Sequence, residues 1–287
     1  MPLPPLTVFQ CPSCAGVLDV HGTDVTCVRC HAVFSVSHGI ARFVQALDDH
    51  PVPADSDAFI VACKNIGKRF PRLYRFFIAF FGISSGGVTP ASFVRKFVPE
   101  GALMLNLGSG AQERYRDAVH VDLFPFTGVD VVADITRLPF KDASVDAAIC
   151  IMTLEHVSDP VAVIREAHRV LKPGGHVYIT TPFMYPYHSS PRDYARWTLD
   201  GLRQLFSEFD EVRSGLRHGS TSALMLFFAH WLAAVCSLGI RRLYGVFLVF
   251  WMAILAPLAH IPDMILNRLR VSEHMATGYY FIARKHD

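Results

Sequence analysis

Four cysteines near the start of the chain have the spacing of a metal site. Cys11 and Cys14 form one CxxC pair, and Cys27 and Cys30 form a second pair after twelve residues. Each pair places two sulfurs on one side of a tight turn, and two such turns complete a tetrahedral thiolate site for zinc. Because sulfur would then hold all four positions, we predict a structural zinc ion. The alternative is four unligated thiols.

A glycine turn and two carboxylates form the second pattern. Gly108 and Gly110 follow an apolar segment, and such a turn lets a ligand approach the backbone closely. Asp122 and Asp134 each end a further apolar segment. An acid at the position of Asp122 can accept hydrogen bonds from two ribose hydroxyls. The alternative is that both aspartates are loop carboxylates that cap helices.

A third group of polar and aromatic residues lies between residues 181 and 198, and its composition suits a sugar or another polar acceptor. His188 is the best candidate for a general base, because the pKa of histidine lies near neutral pH. Asp193 could assist or orient His188, and two arginines could bind an anionic group such as a diphosphate. The alternative is a structural Asp193–Arg196 pair with His188 as a loop residue. The predicted substrate-binding residues are Tyr187, Arg192, Tyr194 and Arg196.

From Leu103 onward the chain alternates strand-like and helix-like segments, which predicts a doubly wound α/β sheet. Asp159 and Pro160 open a helix that ends at 172–175. Residues 181–198 follow the fifth strand, so we expect them at the edge of the sheet that carries the glycine turn. The predicted strands are 103–107, 119–122, 129–134, 145–151, 176–181, 211–216 and 277–284.

The motifs LNLGSG, VDLF, DITRLPF, LEHVSDP and LKPGG occur in this order. In sequence and spacing they resemble the type 11 family of class I S-adenosylmethionine-dependent methyltransferases, over about residues 93–212. The resemblance implies a Rossmann-like sheet with S-adenosylmethionine as cofactor. It places Gly108 and Gly110 against the methionine part, Asp122 at the ribose, and Asp134 with Ile135 at the adenine.

Two positions in this region differ from the usual motif of the family, and a third has two possible roles. Asn106 stands where the family usually has an acid before the glycine turn, and it is still expected to hydrogen-bond the cofactor. Gln112 replaces the third glycine of the usual turn. His156 either faces the transferred methyl group or orients a loop.

Two further resemblances concern the flanks. Residues 9–44 resemble a Trm112-like zinc ribbon, which implies a docking or stabilising module. The segment that begins at Lys64, together with residues 186–198, is similar to bacterial methyltransferases of surface polysaccharide and lipid-linked glycan synthesis. This similarity implies a glycan hydroxyl as acceptor. The basic, aromatic segment 64–81 is either an interfacial segment or a helix packed on the catalytic domain.

Two apolar runs precede the last strand and predict a helical insertion. Leu224–Ile240 and Leu243–Ile261 contain no Asp, Glu, Lys or Arg, and only Arg241 and Arg242 separate them. A complete two-span hairpin would place these arginines outside, against the positive-inside rule. We therefore predict a peripheral, monotopic or re-entrant anchor on the cytoplasmic side of a membrane. The alternative is a helical lid or a dimer interface.

Composition limits the function further. The net charge of +2 gives no strong field for DNA or RNA, and the mean hydropathy of +0.29 reflects the apolar insertion. The leading hypothesis is O-methylation of a lipid-linked saccharide at the membrane surface. The alternatives are a quinone or lipid methyltransferase, an rRNA methyltransferase, and a non-catalytic partner subunit. The predicted domains are a zinc ribbon (1–46), a linker with a basic apolar helix (47–90), the cofactor-binding core (91–218), the apolar insertion (219–274) and the final strand (275–287).

Overall fold

Eleven strands form one continuous sheet in this computed structural model, which describes residues 4–37, 39–44, 86–110, 115, 118–188 and 192–287. Almost all of the predicted region 47–90 and Gln112 lie outside the described residues. The strands are β1 (Leu18–His21), β2 (Asp24–Cys27), β3 (Val33–Ser37), β4 (Ile40–Arg42), β5 (Met104–Leu107), β6 (Ala118–Asp122), β7 (Val131–Val132), β8 (Val145–Ile151), β9 (Leu171–Pro182), β10 (Phe209–His218) and β11 (Gly278–Lys285).

The strand order is β1-β2-β3-β4-β7-β6-β5-β8-β9-β11-β10. Strands β7, β6, β5, β8 and β9 run parallel, and β11 lies antiparallel between β9 and β10. The direction of winding reverses between β5 and β8, which is the point where a doubly wound sheet binds ligands. The predicted α/β sheet, with the last strand returning after the helical insertion, is confirmed.

Helices cover both faces of the sheet, as the alternation of its strands requires. Ala147 and Ile149 of β8 pack on one face, and Ala148 and Cys150 pack on the other. The helices are α1 (Pro90–Phe97), α2 (Pro160–Val170), α3 (Leu199–Leu205), α4 (Ser220–Ser237) and α5 (Arg241–Leu266). Phe93 of α1 belongs to the first face, whereas α2 and α3 cover the second.

Local signals located α2 well but misplaced the strand after it. The Asp159 side chain accepts a hydrogen bond from the Ala162 amide at 3.0 Å, and the helix begins at Pro160 as predicted. We predicted the next strand from residue 176, but β9 begins at Leu171, because Leu171 already pairs with Val145 across a register shift. The third parallel strand is also shorter than predicted, at two residues.

The cysteine-rich segment joins the catalytic sheet instead of forming a separate layer. Strand β4 pairs in parallel with β7, with Ala41 opposite Val131 and Arg42 opposite Val132. The Phe9 ring lies between the rings of Phe43 and Phe140, with centroid distances of 5.4 and 4.9 Å. The predicted ribbon therefore extends the sheet at its β7 edge.

The apolar insertion is a hairpin of α4 and α5, anchored at its base by a buried carboxylate. Ala229, Ala233, Leu248 and Leu255 form its core. Asp263 of α5 is fully buried, and it accepts hydrogen bonds from the amides of Thr221 and Ser222 at 2.7 and 3.0 Å and from the Ser222 hydroxyl at 2.6 Å. Asp263 thus caps the amino end of α4 and holds the two helices together.

Candidate functional site

The glycine turn follows β5 at the point where the winding of the sheet reverses. Gly108 and Gly110 have φ angles of +67° and +61°, a conformation that favours glycine. A Cβ atom on Gly108 would lie 2.1 Å from Cγ2 of Thr153, whereas one on Gly110 would meet no atom of the described residues within 4 Å. The turn is therefore closed against the loop after β8 and open on its other side, where a ligand can reach the backbone.

Asp122 ends β6 beside this turn. Its carboxylate accepts hydrogen bonds from the Gly110 amide at 2.7 Å and from the Phe124 amide at 3.0 Å. Burial raises the pKa of Asp122, and the backbone amides of Phe124, Gly110 and Leu123 oppose that rise. A carboxylate has about four acceptor positions. The amides of Gly110 and Phe124 occupy two of them, so acceptor positions remain for the ribose hydroxyls that the sequence predicts.

Asp134 and Ile135 follow β7 on the same edge. Asp134 is exposed, and its Oδ1 atom accepts hydrogen bonds from the amide and the hydroxyl of Thr136 at 2.8 and 2.7 Å. The carboxylate therefore closes a local turn but caps no helix among the described residues, and Ile135 is buried beside it. The predicted adenine contacts of both residues stay predictions.

Asn106 has a partner inside the sheet. Its Nδ2 atom lies 3.2 Å from Nδ1 of His120, and Nε2 of His120 lies 3.0 Å from the carbonyl oxygen of Tyr115. A carbonyl oxygen only accepts, so Nε2 of His120 carries the proton and Nδ1 accepts from the Asn106 amide. The amide group of Asn106 is therefore used within the sheet. The cofactor contact predicted for Asn106 stays a prediction.

A carboxylate that sequence reasoning missed lies beside the two predicted histidines. Glu155 is fully buried in the short 3-10 turn Leu154–His156 after β8. Neither carboxylate oxygen has a hydrogen-bond partner among the described residues. Its Oε1 atom lies 3.7 Å from Nε2 of His188 and 3.9 Å from Nε2 of His156. The LEH motif contained Glu155, but the motif did not reveal that residue 188 meets it.

An ion pair organises the loop after β9, residues 183–198, which we call the acceptor loop because its composition predicts binding of a polar acceptor. Arg196 binds both oxygens of Asp193, and Asp193 Oδ2 also accepts a hydrogen bond from the His188 amide at 2.9 Å. Burial would raise the pKa of Asp193, but Arg196 and the His188 amide outweigh burial and hold the pKa below its ordinary value.

The guanidinium of Arg196 also donates to three carbonyl oxygens, those of Tyr185, Pro186 and Ala195. The structural Asp193–Arg196 pair that we gave as the alternative is present, and the anion contact predicted for Arg196 stays a prediction. The remaining predicted substrate-binding residues are exposed on the same loop, namely Tyr187, Arg192 and Tyr194.

Comparison with known proteins identifies the region that contains the glycine turn, Asp122 and Glu155. Residues 101–179 match a family model described as a methyltransferase domain. The chain carries a class I methyltransferase domain. A Streptomyces fradiae protein, named as an uncharacterized 37.1 kDa protein in transposon TN4556, is 37% identical over 77 residues, which are 25% of this chain and 22% of that protein.

Two other similar proteins are methyltransferases by name. The ubiquinone biosynthesis O-methyltransferase of Marinobacter nauticus is 40% identical over 50 residues, 17% of this chain and 21% of that enzyme. The matched segments therefore span about a fifth of these curated relatives. The solved phosphoethanolamine N-methyltransferase 2 of Haemonchus contortus, in complex with S-adenosyl-L-methionine, has a TM-score of 0.46 and 19% identity, covering 74% of this chain and 56% of that chain.

The methyltransferase domain has a site that fits S-adenosylmethionine. The turn is open at Gly110, and Asp122 keeps acceptor positions toward it. The Ser109 hydroxyl in the middle of the turn is buried without a hydrogen-bond partner among the described residues. A bound cofactor would supply polar groups to both Ser109 and Asp122. The cofactor contributes a sulfonium-activated methyl group, and the chain aligns the acceptor with it.

The four ribbon cysteines fit a zinc ion. Their sulfur atoms all lie within 4.8 Å of one another, and the closest pairs, Cys14–Cys27 and Cys11–Cys30, are 3.4 and 3.6 Å apart. Zinc–sulfur bonds of about 2.3 Å in a tetrahedron place sulfurs about 3.8 Å apart. Burial would raise the pKa of Cys27, but the backbone amides of Cys30 and Arg29 outweigh it and lower the pKa to about 6. Burial raises the pKa of Cys11 and raises the pKa of Cys14 to about 12, so thiolate formation, which zinc binding requires, is favoured first at Cys27.

Proposed function

We propose that the chain transfers the methyl group of S-adenosylmethionine to a hydroxyl oxygen of a lipid-linked saccharide at the cytoplasmic surface of a membrane. One observation carries this proposal: the apolar hairpin and the acceptor loop begin at the same edge of the sheet. The Phe183 and Met184 amides of the loop donate to the carbonyl oxygens of Thr277 and Ala276 at the base of the hairpin, at 2.9 and 3.1 Å. A substrate held by lipid would thus meet the cofactor edge.

The exposed surface of the hairpin supports membrane association. Both helices are long and apolar enough to cross a membrane, yet only 39% and 28% of their most apolar stretches are buried. Large apolar side chains point outward along both, so a lipid surface would bury area that water now contacts. We propose a peripheral, monotopic or re-entrant anchor, because Arg241 and Arg242 lie exposed at the tip. The exposed apolar residues include Leu224, Phe228, Trp231, Val246, Phe250, Leu258 and Ile261.

The acceptor loop supplies groups for a polar acceptor. The hydroxyl oxygen attacks the methyl carbon, the carbon–sulfur bond breaks, and its electron pair stays on sulfur as S-adenosylhomocysteine forms. The cluster of Glu155, His156 and His188 accepts the hydroxyl proton, and Asp193 is a positioning residue for His188. Tyr187 and Tyr194 are exposed there and suit stacking on a sugar ring. We also propose that the four cysteines hold a structural zinc ion.

A second candidate acceptor is a hydroxylated quinone ring. It is motivated by the ubiquinone biosynthesis O-methyltransferases among the similar proteins and by the same apolar hairpin. A quinone and a saccharide both place a hydroxyl near a lipid tail, so the hairpin suits either one.

The test is methyl transfer from radiolabelled S-adenosylmethionine by the full chain in phospholipid vesicles. The acceptors are a polyprenyl-diphosphate-linked saccharide, the same saccharide without lipid, and a hydroxylated quinol. We expect label in the lipid-linked saccharide, and none with Asp122→Asn, whereas the matched surface variant Asp210→Asn keeps activity. Label in the quinol alone would replace the saccharide with the second candidate. No label in any acceptor, from protein that binds cofactor, would overturn the proposal.

A further inference from the structure

We propose that Glu155, His156 and His188 bind a divalent transition-metal ion at the acceptor side of the methyltransferase domain. The three residues offer one carboxylate oxygen and two imidazole nitrogens within 4.8 Å of one another. This set is separate from the four cysteines. The inference deepens the proposed function, and it rests on that function only for the identity of the acceptor.

The distances suit a shared cation. Two ligands bound at about 2.1 Å lie about 3.0–3.4 Å apart in tetrahedral or octahedral geometry. The Oε1 atom of Glu155 is 3.7 Å from Nε2 of His188 and 3.9 Å from Nε2 of His156. These separations are too long for direct hydrogen bonds. All three ligand atoms lie within 4.8 Å of one another, so side-chain shifts on the order of 1 Å would bring them to one ion.

The protonation of His156 points to a cation between these groups. Its Nδ1 atom lies 2.6 Å from the carbonyl oxygen of Arg192, so Nδ1 must donate. In the neutral ring Nε2 then carries a lone pair, and that lone pair is directed toward a buried carboxylate. A fully buried carboxylate without a hydrogen bond is costly unless a positive charge compensates it. A metal ion would satisfy both groups at once.

The second nitrogen of His156 is already held in the way that metal-binding histidines require. A metal-bound histidine usually directs its other nitrogen to a carbonyl or a carboxylate. His156 directs its Nδ1 to the Arg192 carbonyl at 2.6 Å. The Nδ1 atom of His188 lies 3.5 Å from both Asp193 Oδ2 and Arg196 Nη2. The outer shell of a metal site is therefore present at His156, and Asp193 is the carboxylate within reach of His188.

The donor set indicates the class of ion and its role. Two imidazoles and one carboxylate suit zinc, iron(II) or cobalt(II), whereas magnesium and calcium prefer oxygen ligands. Three protein ligands leave positions open. An acceptor hydroxyl in an open position would lose its proton to solvent at lower pH, as metal-bound water does, and its oxygen would then attack the methyl carbon. In this scheme the metal ion activates the hydroxyl and His188 serves as a ligand.

The experiment is cobalt binding by the full chain, purified in detergent with zinc already bound to the ribbon. Metal content by mass spectrometry counts the equivalents, and visible absorption shows whether thiolates bind the cobalt. We expect one added equivalent of cobalt without a thiolate charge-transfer band and without loss of zinc. Glu155→Gln and His188→Asn should weaken this binding by about a hundredfold or more, and Asp193→Asn by roughly 10–100-fold. Matched controls are Glu208→Gln, which is exposed, and His176→Gln, which contacts Phe97; both should bind normally.

Cobalt that enters only by displacing zinc, or that binds Glu155→Gln as well as the wild type, would overturn the inference. Glu155 would then be paired with protonated histidines. Cobalt binding and methyl transfer fail independently. A chain that binds cobalt at this site but labels no acceptor contradicts the proposed function alone. A chain that labels the lipid-linked saccharide but binds no added equivalent of cobalt contradicts the metal site alone.

Discussion

At the residue scale, Asp122 joins the glycine turn to the second parallel strand. Because its carboxylate already binds the Gly110 amide, ligand binding at Asp122 and the conformation of the turn are coupled. Asp122→Asn should weaken S-adenosylhomocysteine binding by about 10–100-fold, since a charged hydrogen bond contributes about 1.5–3 kcal/mol. Calorimetry of the detergent-purified chain measures this, with Asp210→Asn as control. Equal affinity of Asp122→Asn and Asp210→Asn for S-adenosylhomocysteine would show that Asp122 does not contribute to cofactor binding.

The raised pKa of Asp122 gives the same site a pH dependence. Burial disfavours the ionised carboxylate, so Asp122 takes up a proton at a higher pH than the ordinary value of 3.8. In the predicted ribose contact the ionised form would accept two hydroxyl hydrogen bonds, and the protonated form would accept fewer. Affinity for S-adenosylhomocysteine should therefore fall as the pH is lowered, beginning above 3.8, in the wild type but not in Asp122→Asn. Parallel pH profiles of the two proteins would contradict this assignment.

The sequence predicted the half of the site whose residues are close along the chain. Gly108, Gly110 and Asp122 belong to a strand–turn–strand unit with a recognisable motif. Glu155 and His188 meet only because β8 and β9 are adjacent in the sheet and their loops share an edge. Such a contact between distant segments has no local pattern. The burial of Glu155, and its lack of a hydrogen-bond partner among the described residues, became visible only with the fold.

At the element scale, the start of helix α2 depends on a local capping residue, whereas the start of strand β9 depends on a residue of another strand. Helix α2 began at Pro160 as predicted, because Asp159 caps it locally. Strand β9 began earlier than predicted, because its start depends on Val145 of a different strand. The apolar runs missed the first residues of α4 and the last residues of α5. There Ser222 and Asp263 are polar, but they are buried and hydrogen-bonded to each other.

The apolar hairpin gives the element-scale prediction. Phe228 and Trp231 of α4 are 43% and 58% exposed, and their rings stack at 5.8 Å. Burying the exposed half of each ring in lipid is worth about 1–1.5 kcal/mol, so replacing both with serine should lower vesicle affinity by roughly 30–150-fold. Flotation with phospholipid vesicles measures the bound fraction. Val161→Ser, an exposed apolar position on α2, should float like the wild type. Unchanged flotation of the double variant would favour a lid or a dimer interface.

At the scale of the whole molecule, the ribbon and the methyltransferase domain share one hydrophobic core. Phe9, Phe34 and Phe43 of the ribbon pack in the same cluster as Leu138 and Phe140 of the catalytic domain. The sequence indicated two modules, but it could not show that they share one sheet and one hydrophobic core. The shared sheet depends on β4, a three-residue strand. No sequence pattern predicts that β4 pairs with β7.

This shared core predicts that zinc loss weakens cofactor binding far from the metal. The ribbon is too small to fold without its metal, and its unfolding would remove β4 and Phe9 from the β7 edge. The segment from Asp134 to Phe140 would then lose the contacts that hold it, including the hydrogen bonds of Gln10 with Pro139 and of Lys141 with Val8. Cys27→Ser should therefore weaken S-adenosylhomocysteine binding by roughly tenfold or more.

Hydrogen exchange and calorimetry on the same protein distinguish this coupling from general unfolding. In Cys27→Ser, exchange should rise in residues 131–141 and stay low in β8 and β9, which lie on the far side of β5 from the ribbon. Cys236→Ser, at a cysteine in the apolar hairpin, controls for loss of a thiol and should bind ligand normally. If Cys27→Ser loses zinc but keeps full affinity and low exchange in 131–141, the ribbon does not support the segment that is predicted to contact the adenine.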